Sequence, residues 1–386
     1  MSTLEKIVIM IVITVPLAFV GFFVLIITAL MGHSSFYVPY IVVIFSMILF
    51  FVANKLFNFI TKGMTKKLQL LFLALLLVAV GIYEGINFYE RSLATLDDQE
   101  VDMSLYRPFD NDGRLVTLDN KASLQIEADL PVLDGATALY PLYAAFAQET
   151  YPEKSYSIEE SEVIVSKTPY AYKNLISGNV DIIFAAGPSD RQVEAAETKG
   201  LKFDMTPIGR EAFVFFVNAS NPVDELTTEQ IQSIYAGEIT NWSEVGGKNQ
   251  DIQAFQRPDD SGSQTTLEKF MGNKSLMKAP TDDIVTGMGG IISETANYTN
   301  YRNAIGYSFR YFSMDLIQNN EIKHLAIDGV YPDKKTIRTG EYPISKEFYA
   351  ITTDTDNPNV DRLIEWILSD QGQKLVEETG YVPVGN

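Results

Sequence analysis

Hydrophobic residues form three long runs in the first quarter of the chain and shorter, periodic groups in the remainder. The run 7–31 contains no charged residue, and two further apolar runs, 37–54 and 68–83, follow it. A helix needs about 20 apolar residues to cross the hydrocarbon core of a bilayer. The first run is too long for a cleaved signal peptide and lacks a small-residue cleavage site. The pattern therefore predicts three membrane-spanning helices, at about 7–31, 37–57 and 68–89.

The positive charges of the predicted connections indicate an orientation. Lys55, Lys62, Lys66 and Lys67 all lie between the second and third spans, whereas "GHSSF", between the first two, contains no Lys or Arg. Because positively charged loops stay in the cytoplasm, the N-terminus is predicted to be cytoplasmic. Everything after about residue 92 then lies outside the cell membrane.

From residue 123 onward, short apolar runs alternate with amphipathic segments. "LPVLDG", "SEVIVS" and "VDIIFAAG" have the length of strands, and helical patterns such as "ALYPLYAAFAQETY" separate them. This alternation predicts an α/β fold with a mixed or parallel sheet, and the length of 123–386 suits two lobes better than one sheet. The polar, acidic segment 93–122 before it is predicted to be an extracytoplasmic linker.

The charge balance separates the two parts of the chain. Residues 1–95 carry a net charge of +3, although the whole chain has −19, so the remainder is strongly acidic. This acidity argues against nucleic acid as a partner, although it does not exclude an anion in one local pocket. The chain has no cysteine and therefore neither disulfides nor a lipidated cysteine, so the three helices would tether the outer domain instead.

Three predicted helix starts share small and hydroxyl residues: 135–137, 167–169 and 261–264. The N-terminus of a helix exposes unpaired N–H groups and partial positive charge, and it can therefore bind an anion. Arg257, shortly before the third start, could add a bidentate contact. The same residue types are also ordinary helix caps, and Ser-x-x-Gln at 261–264 fits a capping box. From these residues alone, both interpretations remain open.

The sequence offers little for catalysis. Its two histidines, His33 and His324, have no cluster of metal-ligating residues beside them in the chain, and a Ser-His-Asp triad could use only His324. The segment 286–293 lacks the spacing and lysine of the phosphate-binding loop found in nucleotide-binding proteins, and we interpret it as a turn lining a cleft. We therefore predict no catalytic residue, no metal and no cofactor.

Several separated segments keep the order and spacing found in one known family. They resemble segments of the phosphate-binding proteins of bacterial ABC transporters, and the resemblance covers about 125–386. It implies a periplasmic-binding-protein fold of type 2, with lobe 1 at about 123–208 and 345–386, lobe 2 at about 209–344, and a ligand in the cleft between them. The segments are "DGATALYPLYAAFAQ", "SGNVDIIFAAGPSD", "REAFVFFVNASNPVDELTTEQIQSIYAGEITNWSEVGG", "FQRPDDSGSQTTLEKFMG", "NAIGYSFRYF" and "GYVPV".

The resemblance also implies ligand positions. The first anion-binding turn of the family corresponds to the helix start at 135–138, and the second, counted back from Asp181, corresponds to 166–171. The arginine loop of the family corresponds to 257–263. The implied ligand-binding residues are Thr137, Ala138, Thr168, Arg257, Ser261, Gly262 and Ser263.

One departure from the family pattern concerns selectivity. Where the family has an aspartate that accepts a hydrogen bond from protonated phosphate, this chain has Ala186. Unless Asp190, Asp259 or Asp260 supplies the acceptor, the pocket would consist almost wholly of donors. Such a pocket would discriminate weakly between phosphate and sulfate.

The resemblance implies a membrane-anchored, extracytoplasmic solute-binding protein for phosphate or a related oxyanion, feeding an ABC permease. Two alternatives remain. One is a membrane-tethered anion sensor or scaffold that signals through its three helices. The other is a cell-surface enzyme acting on phosphoesters, against which the missing metal ligands argue.

Overall fold

The structure is a computed structural model, and it comprises two compact units. One unit contains 1–93 and 282–293, and the other contains 94–281 and 294–386. The residues that it describes are 2–30, 34–92, 95–96, 101–110, 114–257, 259–278, 285–286, 291–292, 298–299, 301–316 and 321–385.

Three long helices form the first unit: α1 (Thr3–Leu30), α2 (Ser34–Phe57) and α3 (Lys62–Ser92). Each is long and apolar enough to cross a membrane. Gly21 allows α1 to pack closely on α2, because a Cβ there would lie only 3.2 Å from the ring of Phe45.

The turn between α2 and α3 is held by one buried amide. The side chain of Asn54 donates to the hydroxyl of Thr65 at 2.9 Å and accepts from the backbone N–H of Ile60 at 2.7 Å. These bonds fix the lysine-rich connection on which the predicted orientation depends. The described part of this unit also includes a two-stranded ladder, Val285–Thr286 with Ile291–Ile292, which overlaps the segment 286–293 interpreted as a cleft turn. Of that segment, 287–290 and 293 lie outside the described residues.

The second unit alternates strands and helices along the chain, as expected for an α/β fold. Its helices are α4 (Tyr140–Thr150), α5 (Thr168–Ile176), α6 (Asp190–Thr198), α7 (Thr228–Tyr235), α8 (Gly262–Met271), α9 (Lys334–Thr339), α10 (Val360–Ile367) and α11 (Asp370–Thr379). With the ladder above as β7 and β8, the strands are β1 (Thr95–Leu96), β2 (Leu133–Gly135), β3 (Ile182–Ala185), β4 (Asp204–Asn218), β5 (Glu225–Leu226), β6 (Gln253–Ala254), β9 (Tyr298–Thr299), β10 (Ala304–Phe309), β11 (Ile322–His324), β12 (Ala326–Ile327), β13 (Ser345–Thr352) and β14 (Val382–Pro383).

A single long strand, β4, organises the main sheet, whose order is β2-β3-β13-β4-β10-β6. The first part of β4, Asp204–Ala212, pairs antiparallel with β13, and the second part, Phe213–Val217, pairs antiparallel with β10. β2 and β3 pair in parallel, as a βαβ connection requires. One strand therefore runs through both halves of the sheet.

Two main hydrophobic cores lie along β4. The first core contains Phe146, Phe184 and Trp366, and the second contains Phe215 and Trp242. Two segments depart from the predicted lobe boundaries: Tyr311 packs in the first core, and Val382 packs in the second.

The segment predicted to be a linker contributes to the first core. Met103 is 7% exposed within the 3₁₀ turn Met103–Tyr106, and Phe109 and Leu118 pack against the same core. The backbone N–H of Leu118 donates to the side chain of Glu149 at 3.0 Å. The prediction of a linker over 93–122 is therefore wrong for 101–110 and 114–122, because the apolar residues spaced among the acidic ones pack in or against the first core.

Candidate anion-binding cleft

The first predicted anion turn follows β2. Gly135 is required there, because a Cβ would lie 2.4 Å from the carbonyl oxygen of Phe184. The N–H of Ala136 donates to that same carbonyl at 2.9 Å. The 3₁₀ turn Thr137–Leu139 then leads into α4, so Thr137 and Ala138 occupy the start of a helical segment whose first N–H groups have no acceptor within the helix.

A buried carboxylate joins the first turn to the second. Asp134, which is fully buried, accepts from the N–H of Gly135 at 2.7 Å and from the N–H of Ser166 at 2.8 Å. Its other oxygen accepts from the Ser166 hydroxyl at 2.5 Å and from Asn174 in α5 at 2.9 Å. These four bonds fix the first turn and the second turn relative to each other.

The second turn carries local backbone strain. Lys167 has φ 71° and ψ 156°, a region that is essentially reserved for glycine, and Thr168 follows it as the first residue of α5. Thr168 is 8% exposed. By contrast, Tyr170 is 61% exposed, and its phenol lies on the surface rather than in the cleft.

In the third turn, Ser261 caps α8 by accepting from the N–H of Gln264 at 3.2 Å. The capping box expected at these positions is not completed. The carbonyl oxygen of the Gln264 side chain instead accepts from the backbone N–H of Arg257 at 3.0 Å and from the hydroxyl of Tyr307. The Tyr307 hydroxyl also accepts from the Arg257 N–H, at 2.8 Å. Gln264 thereby fixes the backbone of the arginine.

The three turns meet at a small cavity of about 30 Å³. A Cβ on Gly262 would lie 3.4 Å from the Thr168 hydroxyl oxygen and 3.9 Å from the Cβ of Ala186. The turns of α5 and α8, about a hundred residues apart in the chain, are therefore in contact. The residues that line the cavity are Ala136, Ala138, Leu139, Thr168, Ala186, Glu211, Gly262, Phe309, Lys346, Glu347, Phe348 and Tyr381.

The lining includes three of the predicted ligand-binding residues, Ala138, Thr168 and Gly262. The other four are close to them in the chain. Thr137 precedes Ala138, Ser261 and Ser263 flank Gly262, and Arg257 begins the loop that leads to Ser261.

The cavity also contains charged groups that the sequence reasoning missed: Glu211, Lys346 and Glu347. The expectation of a pocket made almost wholly of donors is therefore wrong, because two carboxylates line it. A signal for Glu211 was present in the sequence. It is a lone carboxylate at the start of the apolar run "AFVFFV", and a charge buried in a strand normally has a specific partner.

Glu211 lies within β4 and is 4% exposed. Oε1 accepts from the N–H of Ala212 at 2.9 Å, and Oε2 accepts from the N–H of Tyr311 at 3.1 Å. Nε of Arg310 lies 3.8 Å from Oε1. Burial raises the pKa of Glu211 to about 7, although Arg310 and the two backbone N–H groups act in the opposite direction and Asp315 adds to the increase.

The C-terminal motif "GYVPV" completes the cleft. The hydroxyl of Tyr381 donates to the carbonyl of Ala138 at 2.6 Å and so holds the first turn. Arg310 donates to the carbonyl of Gly380 at 2.8 Å and to Asp315 at 2.8 Å. The C-terminal motif therefore positions the first turn, and Arg310 holds the residue that precedes Tyr381.

The three aspartates considered as substitute acceptors lie around Arg191 instead. Its guanidinium is 3.0 Å from Asp259 and 3.3 Å from Asp260. Asp260 also accepts from the Ser189 hydroxyl at 2.8 Å, and Asp190 lines a separate cavity with these residues. This network connects the start of α6 with the loop before α8.

Within the described residues, no group of three or more His, Cys, Asp and Glu side chains is placed to hold a metal ion. His324, the histidine considered for a triad, lies beside a serine: its Nε2 is 2.9 Å from the Ser313 hydroxyl. Ser313 is 1% exposed, and its hydroxyl donates to the carbonyls of Phe309 and Arg310. This serine is therefore a buried structural residue and not an accessible nucleophile. The other histidine, His33, lies outside the described residues.

The chain is similar to known proteins of one family. The family model described as "PBP superfamily domain" matches residues 128–371. The phosphate-binding protein PstS of Bacillus subtilis (strain 168) is 30% identical over 258 residues, which is 65% of this chain and 80% of that protein. The PstS of Staphylococcus saprophyticus is 26% identical, over 64% of this chain and 78% of its own length. A structure of a phosphate ABC transporter substrate-binding protein from Clostridium perfringens, solved with bound phosphate, covers 68% of this chain with 23% identity and a TM-score of 0.48.

Proposed function

Because the chain belongs to the PBP superfamily and, within it, to the family of the phosphate-binding proteins PstS, we propose that its cleft binds phosphate or a closely related oxyanion. The observation that carries the proposal is the meeting of three helix starts at one cavity, with Ala138, Thr168 and Gly262 in its lining. Each start would offer unpaired N–H groups and partial positive charge to an anion in this space.

The remaining predicted residues have roles that follow from their positions. The hydroxyls of Thr137, Ser261 and Ser263 would donate further hydrogen bonds, and Arg257 would add a charge-assisted contact. Residues 123–208 and 345–386 would form lobe 1 and 209–344 would form lobe 2, except that Tyr311 packs with lobe 1 and Val382 with lobe 2. Their closure around the anion would expel water and strengthen these bonds.

The proposal extends to the membrane. The three long apolar helices would anchor the protein, with the binding domain outside the cell membrane and an ABC permease as its partner. Added protease should then remove the binding domain from intact cells while the helices stay with the membrane. Protection of that domain would contradict this topology.

Calorimetric titration of the full-length protein in detergent tests the binding proposal. We expect phosphate to bind at one site per chain, with an affinity that falls in the Arg257→Ala variant. If neither phosphate nor sulfate binds the unmodified protein, the proposed function is wrong. If phosphate binds but the cells take it up equally well without this protein, the sensor alternative replaces the transport role.

A further inference from the structure

Glu211 lies at the point where the two halves of the sheet meet. It lies in β4 two residues before Phe213, where the strand changes partner from β13 to β10, and its register partner on β13 is Lys346. Glu211 and Lys346 both line the cavity. Glu211 therefore faces the cavity from the strand that runs through both halves of the sheet.

The hydrogen bonds of Glu211 leave it able to accept more. An ionised carboxylate has about four lone-pair positions. Two of these are occupied by the N–H groups of Ala212 and Tyr311. The Arg310 guanidinium, 3.8 Å away, balances its charge, and that arginine also holds Asp315 and the Gly380 carbonyl. The carboxylate is thus oriented and charge-compensated while further acceptor positions remain.

The other acidic groups are less suited to this role. Ala186, at the family's aspartate position, contributes a methyl group to the lining. Asp190, Asp259 and Asp260 lie around Arg191. Glu347 lines the cavity but is only half-buried, and it accepts a long bond of 3.4 Å from Tyr349. A half-buried carboxylate is more strongly screened by water than a buried one.

Given the anion-binding function proposed above, on which this inference rests, we propose that Glu211 accepts the hydrogen bond of the protonated oxygen of the bound anion. It would thereby select phosphate, which carries a proton, over sulfate, which does not. The selecting carboxylate would then come from the strand that joins the lobes, and not from the turn that contains Ala186.

The ionisation of Glu211 makes this selection dependent on pH. Its pKa is raised to about 7 by burial, and the groups that face it are Arg310, Asp315, Tyr311, Tyr381 and Lys346. Below pH 7 the protonated carboxyl can donate to sulfate. Above pH 7 the carboxylate repels sulfate but still accepts from monohydrogen phosphate. Sulfate that binds only the protonated form loses affinity about tenfold per pH unit above 7.

The test is titration of the full-length protein with phosphate and with sulfate at pH 5.5 and 8.5. We expect the preference for phosphate to increase by at least about tenfold between these values in the unmodified protein. Glu211→Gln should remove that increase, because the neutral amide no longer repels sulfate. Glu341→Gln, at an exposed position, is the matched control and should behave as the unmodified protein.

A purely structural role for Glu211 would weaken both anions together and leave their ratio unchanged, which would overturn the inference but not the proposed function. Binding of neither anion by the unmodified protein would overturn both. If Glu347→Gln removes the selectivity and Glu211→Gln does not, the assignment is also wrong. Should Glu211→Gln fold poorly, the unmodified protein still decides, because the inference requires its preference for phosphate to rise between pH 5.5 and 8.5. An unchanged ratio of the two affinities over that range would contradict selection by this carboxylate.

Discussion

The hydroxyl oxygen of Thr168 lies 3.4 Å from the position that a Cβ atom on Gly262 would occupy. The first residues of α5 and α8 therefore face each other directly across the cleft. An added methyl group at Gly262 would fit in ordinary van der Waals contact with Thr168 and Ala186, but it would occupy the space in front of the first N–H groups of α8.

We therefore expect Gly262→Ala to keep the fold and to weaken phosphate binding by about tenfold or more, the equivalent of one hydrogen bond to a charged group. Calorimetric titration measures the affinity, and thermal unfolding checks the fold. Gly187→Ala is the matched control, since a Cβ there meets no atom closer than 3.5 Å. Equal affinity of the Gly262→Ala and unmodified proteins would place the anion elsewhere.

Arg257→Ala should weaken phosphate binding by roughly 2–5 kcal/mol, because a buried anionic oxygen would lose a charge-assisted partner. The fold should persist, since the contacts of Gln264 and Tyr307 are to the backbone N–H of residue 257. Arg338→Ala removes an exposed arginine paired with Glu377 and serves as the control. An unchanged dissociation constant with normal unfolding would remove Arg257 from the site.

Lys167→Gly should stabilise the binding domain by about 1 kcal/mol, because glycine adopts this backbone conformation without strain. The strain that is relieved exceeds the entropic cost of ordering a glycine. Lys173→Gly, within α5, loses the same charge and should destabilise by about 1 kcal/mol. Urea unfolding of the full-length protein, followed by the fluorescence of Trp242 and Trp366, compares them. Destabilisation by both substitutions would show that Lys167 makes contacts outweighing its strain.

His324 should make the free energy of unfolding of the domain depend on pH. Burial and the nearby Arg310 lower the pKa of this histidine to about 4, from 6.5. As the pH falls below 6.5, the unfolded chain takes up the proton first, so stability is lost between about pH 6.5 and 4. His324→Gln should lose less stability over that range in urea unfolding at several pH values. The raised pKa of Glu211 acts in the opposite direction, but it is present in both proteins. Parallel pH profiles would contradict the prediction.

Local patterns were sufficient for the three long apolar helices and for the three helix starts that meet at the cavity, because each is built from neighbouring residues: an uninterrupted apolar run, or a small residue at a helix start. Contacts between residues that are far apart in the chain could not be predicted from local patterns. Tyr381 holds Ala138 across more than two hundred residues, and Gln264 holds Arg257 where a capping box was expected. Met103 is buried and Leu118 packs against the first core, although their acidic surroundings resemble a solvated linker. Glu211 was missed because its role depends on which strands border β4.

The four hydrogen bonds of Asp134 have a consequence for the order of events in binding. They join the first two turns into one rigid receptor, whereas the third turn belongs to the other half of the sheet. We therefore expect an incoming anion to dock first on the half-site that these two turns form, before the loop that carries the third turn encloses it. Capture would precede enclosure, so the rate of association would be governed by the half-site and the residence time by the closing loop.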